Sequence, residues 1–172
     1  DYISTVTGTQ HQSSTISSDR RLYWLDINTK KIHTFDGNGG LSPFSDIKGE
    51  YAYLNENLSG QIQNIDKPLY RDNDYGINGV AATYDYKRHK AIFTFHSGLE
   101  GVSIDGERPS PVQTSFTFVI NELTNTFTTR HSFLPRMYIN DFKHIISGDP
   151  EFDSSLKNLY LHDEGFYGTY YG

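Results

Sequence analysis

The chain has 172 residues, enough for one domain with a sizeable core, and its net charge of −6 with a pI near 5.6 lacks the basic footprint of a nucleic-acid module. Hydrophobic residues make up only 35% of it, but aromatics make up 15%, with 13 Tyr and 11 Phe, so a core can be built from few positions and a disordered tail is excluded. With no cysteine there can be no disulfide, thiolate metal site or thiol nucleophile. No apolar run approaches the length of a membrane-spanning helix, so membrane insertion is not expected.

Residues 1 to 20 are rich in Ser, Thr and Gln, and the alternation in Tyr2-Ile3-Ser4-Thr5-Val6-Thr7 predicts a short strand followed by a loop from Gln10 to Ser18. The first hairpin runs from Leu22 to Phe35 and turns at Asp26-Ile27-Asn28-Thr29-Lys30. It ends in Asp36-Gly37-Asn38-Gly39-Gly40, a turn in which Gly and Asn supply positive φ at little cost. Ile47, Tyr51, Leu54 and Leu58 then recur at helical spacing behind the capping residues Ser45 and Asp46, predicting a single helix over 47–58. The stretch from Ile62 to Asp74 is polar and irregular.

A second hairpin spans Ala82 to Phe95 and turns at Asp85. The segment from His96 to Pro111, broken by Gly98, Gly101, Gly106 and Pro109, is expected to be a long exposed loop. The third hairpin runs from Phe116 through Asn121-Glu122-Leu123-Thr124-Asn125 to Phe133, with Phe116, Phe118 and Ile120 on one face. Strands are expected over Leu134 to Ile139 and Phe142 to Ile146, followed by a loop from Ser147 to Ser155. A fourth hairpin runs from Leu159 through Asp163-Glu164-Gly165 to Tyr171. Four aromatic hairpins at spacings of tens of residues are the signature of a repeated all-β architecture.

Catalytic patterns are scarce. Asp36-Gly-Asn38-Gly-Gly40 and Asp72-Asn73-Asp74 resemble the opening of a calcium loop but lack its later Glu and flanking helices, so turns are the better reading. Asp105 and Glu107 form a carboxylate pair that could hydrolyse a glycoside, although two acids in an exposed loop are ordinarily just solvated. The histidines at 11, 33, 89, 96, 131, 144 and 162 show no HxH or HxxxH spacing, and there is no GxSxG elbow or phosphate-binding glycine loop. No catalytic residue, cofactor or metal is therefore expected. Asp26, Asp85 and Asp163 are expected to form turns by accepting backbone N–H hydrogen bonds from two residues onward. Trp24, Tyr167, Tyr170 and Tyr171 are candidates for an interface, or for stacking on sugar rings if the chain is a carbohydrate-binding propeller module or adhesin.

Leu22-Tyr23-Trp24-Leu25-Asp26 followed by Lys31-Ile32 resembles a β-propeller repeat of the YWTD type. A longer succession of motifs is more specific. It comprises Gly8-Thr9-Gln10-His11-Gln12, Tyr23-Trp24-Leu25-Asp26, Ser45-Asp46-Ile47-Lys48-Gly49, Gly79-Val80-Ala81-Ala82-Thr83-Tyr84, Asn121 to Phe127, Ser132-Phe133-Leu134-Pro135 and Leu161 to Gly168. The series resembles the tail-stabilisation or muzzle-type structural proteins of crAss-like and related phages of Bacteroidota.

That resemblance implies a non-enzymatic virion component of the phage tail, put together in the cytoplasm of the host. Its partners would be other tail proteins and symmetry copies of itself. The fold expected is mainly β, with antiparallel hairpins forming part of a β-propeller-like domain and one short helix. Family members are longer than this chain, so residues 1–172 are expected to be a single β-rich domain within a larger propeller-containing protein. The loop from His96 to Pro111 and the tail from Tyr167 to Gly172 are the expected contact surfaces.

Overall fold

The computed structural model of the protein describes residues 7–9, 11–47, 50–55, 79–96, 116–131, 133–135, 137–148 and 158–162. They form three antiparallel meanders. The first sheet contains β1 (Ile16–Ser17), β2 (Arg21–Asp26), β3 (Lys31–Asp36) and β4 (Gly40–Pro43) in that order. The second contains β5 (Gly79–Asp85), β6 (Lys90–His96), β7 (Phe116–Asn121) and β8 (Thr126–His131), again in sequence order. The third has β9 (Tyr138–Asn140) and β11 (Leu159–Leu161) on either side of β10 (Ile145–Gly148).

The first three hairpins are paired as the aromatic runs predict, with Trp24 opposite His33, Ala82 opposite Phe93, and Asn121 opposite Thr126. Of the fourth, β11 pairs with β10, and the residues from Asp163 onward lie outside the described ones. So do all but Thr7 of the strand expected over Tyr2 to Thr7, the polar stretch from Ile62 to Asp74, and residues 97–111 of the expected loop.

The helix is placed differently from its sequence reading. Helical residues are α1 (Phe44–Ile47) and a second stretch, α2, over 51–55. The Ser45 carbonyl accepts from the Glu50 N–H at 3.1 Å, a reach of five residues. Ser45 does not cap: its Oγ accepts the Ile32 N–H of β3, and Asp46 pairs with Lys31 at 2.6 Å. Both candidate caps are thus spent on the sheet, and the helix starts immediately after Pro43. Leu54 is fully buried, whereas Tyr51 lies outside under the Lys31 ammonium. Two further boundaries move. Residues 133–135 carry no regular structure, and Ser147 and Gly148 belong to β10 rather than to a loop.

The period-two alternation of strand side chains explains how the sheets stack. Tyr23, Leu25 and Ile32 on one face of the first sheet meet Phe93, Phe95, Phe118 and Ile120 on the facing side of the second. On its other face the second sheet presents Ile92 and Val119, which pack with Phe133 and with Ile145 of the third. The second sheet is therefore sandwiched, which is why β6 and β7 read as nearly continuous hydrophobic runs. The first strands gather along one seam, with β1 against β5 and β5 against β9. Among the described residues the sheets do not close into a ring, and no helix is long and apolar enough to cross a membrane.

Candidate functional site

Four of the hairpin turns are built alike. Asp26 Oδ1 accepts the N–H groups of Asn28 and Thr29 at 2.9 and 3.3 Å, and Lys30 follows at φ 55°. Asp85 Oδ1 does the same for Lys87 and Arg88, both at 3.0 Å, before His89 at φ 51°. Asn121 serves Leu123 and Thr124 before Asn125 at φ 55°, and Asp36 serves Asn38 and Gly39 before Gly40 at φ 74°. An Asx side chain opens each turn and a left-handed residue four positions later closes it. Asp163 lies outside the described residues.

At three of these turns the residue after the Asx points inward; after Asp36 it is the exposed Gly37. At the first turn it is Ile27, buried in the core; at the second it is Tyr86, partly buried on the same core. At the third it is Glu122, a carboxylate only 5% exposed. Such a group is costly to bury unless it is fully hydrogen-bonded. Three hydroxyls supply the bonds: Ser18 Oγ and Tyr23 Oη donate to Oε1 at 2.5 and 2.9 Å, and Tyr84 Oη donates to Oε2. The Glu122 N–H is itself bonded to the His89 carbonyl at 2.9 Å.

Beside this node Arg21 Nη1 donates to Asn125 Oδ1 at 2.6 Å. Ser18, Arg21 and Tyr23 come from the first sheet and its β1–β2 turn, while Glu122, Asn125 and Tyr84 come from the second. The contact is the polar fastening between the two sheets.

Burial opposes the charge on Glu122, but the hydroxyl donors, with Arg21 nearby, outweigh it and hold its pKa below the ordinary value. Burial, together with the Glu122 charge and hydrogen bond, pushes both Tyr23 and Tyr84 well above the ordinary phenol value. The carboxylate stays ionised, the phenols stay protonated, and none is poised to move a proton near neutrality.

Three more bonds tie the seam of first strands. Tyr86 Oη donates to the Ser17 carbonyl at 3.1 Å, and Asn140 Nδ2 donates to Thr83 Oγ1 at 3.2 Å and to the Tyr84 carbonyl. They border a shallow cleft of about 190 Å³ also lined by Tyr138 and Phe142.

Trp24 is 6% exposed and stacked on His33, with ring centroids 5.7 Å apart, and its indole N–H points to Thr7 Oγ1 at 3.4 Å. Its ring is thus engaged within its own sheet. Tyr167, Tyr170, Tyr171, Asp105 and Glu107 all lie outside the described residues. Among the described residues no three His, Asp or Glu groups gather as a metal site would require.

In the sequence Glu122 reads only as part of a polar turn. The comparable positions, Ile27 and Tyr86, are apolar or aromatic, and alignment of the turns on their Asx residues would have pointed Glu122 inward.

Among curated proteins nothing matches the chain. The family model described as Crassvirus muzzle protein matches residues 1–147, so the muzzle-type resemblance read from the motif series is borne out. The chain belongs to the Crassvirus muzzle protein family, a family of viral structural proteins.

Proposed function

We propose that this chain is a structural component of the phage tail, of the tail-stabilisation or muzzle kind, which assembles with copies of itself and with other tail proteins in the host cytoplasm. The family match over residues 1–147 carries the reading. The interior supports it, because the buried Glu122 carboxylate is consumed in joining two sheets. No catalytic role is assigned to any residue.

The three meanders are read as consecutive propeller blades within a larger propeller-containing protein. Two have the four strands a blade requires, and the first strand of each meander faces the common seam, as the innermost strands of blades do. Asp26, Asp85 and Asp163 serve as turn-formers, and the tail bearing Tyr167, Tyr170 and Tyr171 serves as a contact surface. A glycan-binding module displaying Trp24 is disfavoured by the packing of that ring against His33.

Quantitative mass spectrometry of gradient-purified phage particles tests the proposal. Peptides of this chain should be present at a fixed ratio to the other tail proteins. Their absence from particles, with the protein left in the lysate, would overturn it. Reproducible binding on a glycan array, lost in Trp24→Ala, would move the reading to the carbohydrate module.

A further inference from the structure

Trp24 and His33 are direct cross-strand neighbours on the face of the first sheet turned away from the Tyr23 and Leu25 core. Asp26, two residues beyond Trp24, lies on the same face. All three are covered, at 6%, 8% and 3% exposure respectively. Thr7 latches two of them: its Oγ1 donates to Asp26 Oδ2 at 2.8 Å and accepts the Trp24 indole N–H at 3.4 Å. His33 stands beside this latch, its ring stacked on Trp24 and its Nε2 3.3 Å from Thr29 Oγ1. Its Nδ1 is buried with no hydrogen-bond partner. That arrangement is tolerable only while the ring is neutral, because an imidazolium must donate from both nitrogens.

We propose that His33 is an acid-sensitive release for the latch: once protonated it draws the Asp26 carboxylate away from Thr7, and Trp24 is uncovered. Three charged groups bear on His33, namely Asp26 from β2, Lys31 on its own strand and Asp46 from α1. Lys31 and Asp46 are paired with each other at 2.6 Å, which leaves Asp26 to answer a charge on the ring. Asp26 is opposite Lys31 in the register and therefore diagonal to His33, a spacing that side chains can bridge. Its Oδ1 is held by the Asn28 and Thr29 N–H groups, so Oδ2, the oxygen that Thr7 uses, is the one to give. Burial, the largest influence on His33, lowers its pKa from the ordinary 6.5 and outweighs the opposing pull of Asp26. The stability contributed by the neutral ring is thus full above 6.5 and is lost as pH falls from there through the folded value.

Trp24 is the chain's one tryptophan, so its fluorescence reads the latch directly. The 172-residue chain is titrated between about pH 8 and about pH 5, with acrylamide quenching to measure access to the indole. An intensity step with its midpoint below 6.5 is expected. The quenching constant should rise about threefold across that step, as in a local opening, with far-UV circular dichroism unchanged. His33→Gln and His33→Phe should both lack the step, and Thr7→Val should show the raised quenching already at the alkaline end. No step at all, or a step that persists in either His33 variant, would overturn the proposal. So would an intensity step without greater quenching, which would mean that His33 takes up its proton with the latch closed. Circular dichroism lost over the same range, or wild-type quenching in Thr7→Val, would overturn it as well.

Discussion

The Tyr23 hydroxyl on β2 lies 2.9 Å from the carboxylate of Glu122, a residue 99 positions further along the chain in a turn of the neighbouring sheet. Tyr84, on the second sheet itself, donates to the other oxygen of the same carboxylate. One charge thus receives hydroxyls from both sheets, and its removal should loosen both.

Glu122→Ala is expected to cost about 3 kcal/mol, because two buried phenols lose a charged acceptor, Tyr84 keeping only a long 3.5 Å contact with His89 Nδ1. Glu122→Gln should cost less, about 1 kcal/mol, since an amide oxygen still accepts. Denaturant titration of the three proteins measures both. A Glu122→Ala protein as stable as wild type would show that the node contributes nothing.

Stability should fall at both ends of the pH scale. The folded-state pKa of Glu122 lies below its ordinary 4.5, so its contribution is full above that value and is lost as pH falls through the folded value. The folded-state pKa values of Tyr23 and Tyr84 lie above their ordinary 10.0, so theirs is full below pH 10 and is lost as pH rises further. In Glu122→Gln the acid limb should flatten. An unchanged acid limb would assign it to the surface carboxylates, such as Asp141, which backbone and side-chain bonds from His144, with help from the Lys143 N–H, hold at a pKa of about 2.

The turns make opposite predictions at their two ends. Asp26→Ala and Asp85→Ala each remove an acceptor of two backbone N–H groups and should cost of order 1 kcal/mol. Lys30→Gly relieves a side chain held at φ 55° and should gain about 0.5–1 kcal/mol. Thermal melts suffice, and a destabilised Lys30→Gly would mean that the left-handed residue is not strained there.

Much of the fold was legible because the hairpins are local. Asx turns are written within five consecutive residues, and alternation in Phe116, Phe118 and Ile120 shows which side chains share a face. The helix start was not legible, because Ser45 and Asp46 are good caps in isolation but are claimed by Ile32 and Lys31 across the sheet. Nor was the Glu122 node. Its partners Ser18, Tyr23 and Tyr84 are far away in sequence, and each alone reads as an ordinary strand or turn residue. Trp24 was ambiguous for the same reason, since only the register that sets it opposite His33 reveals that its ring is taken.

Immunogold electron microscopy of intact purified particles, with antibody raised against this chain, tests the tail assignment most directly. Label confined to the tail is the expected result. Label on the capsid, or none on any particle when the antibody readily detects the protein in infected-cell extract, would contradict it.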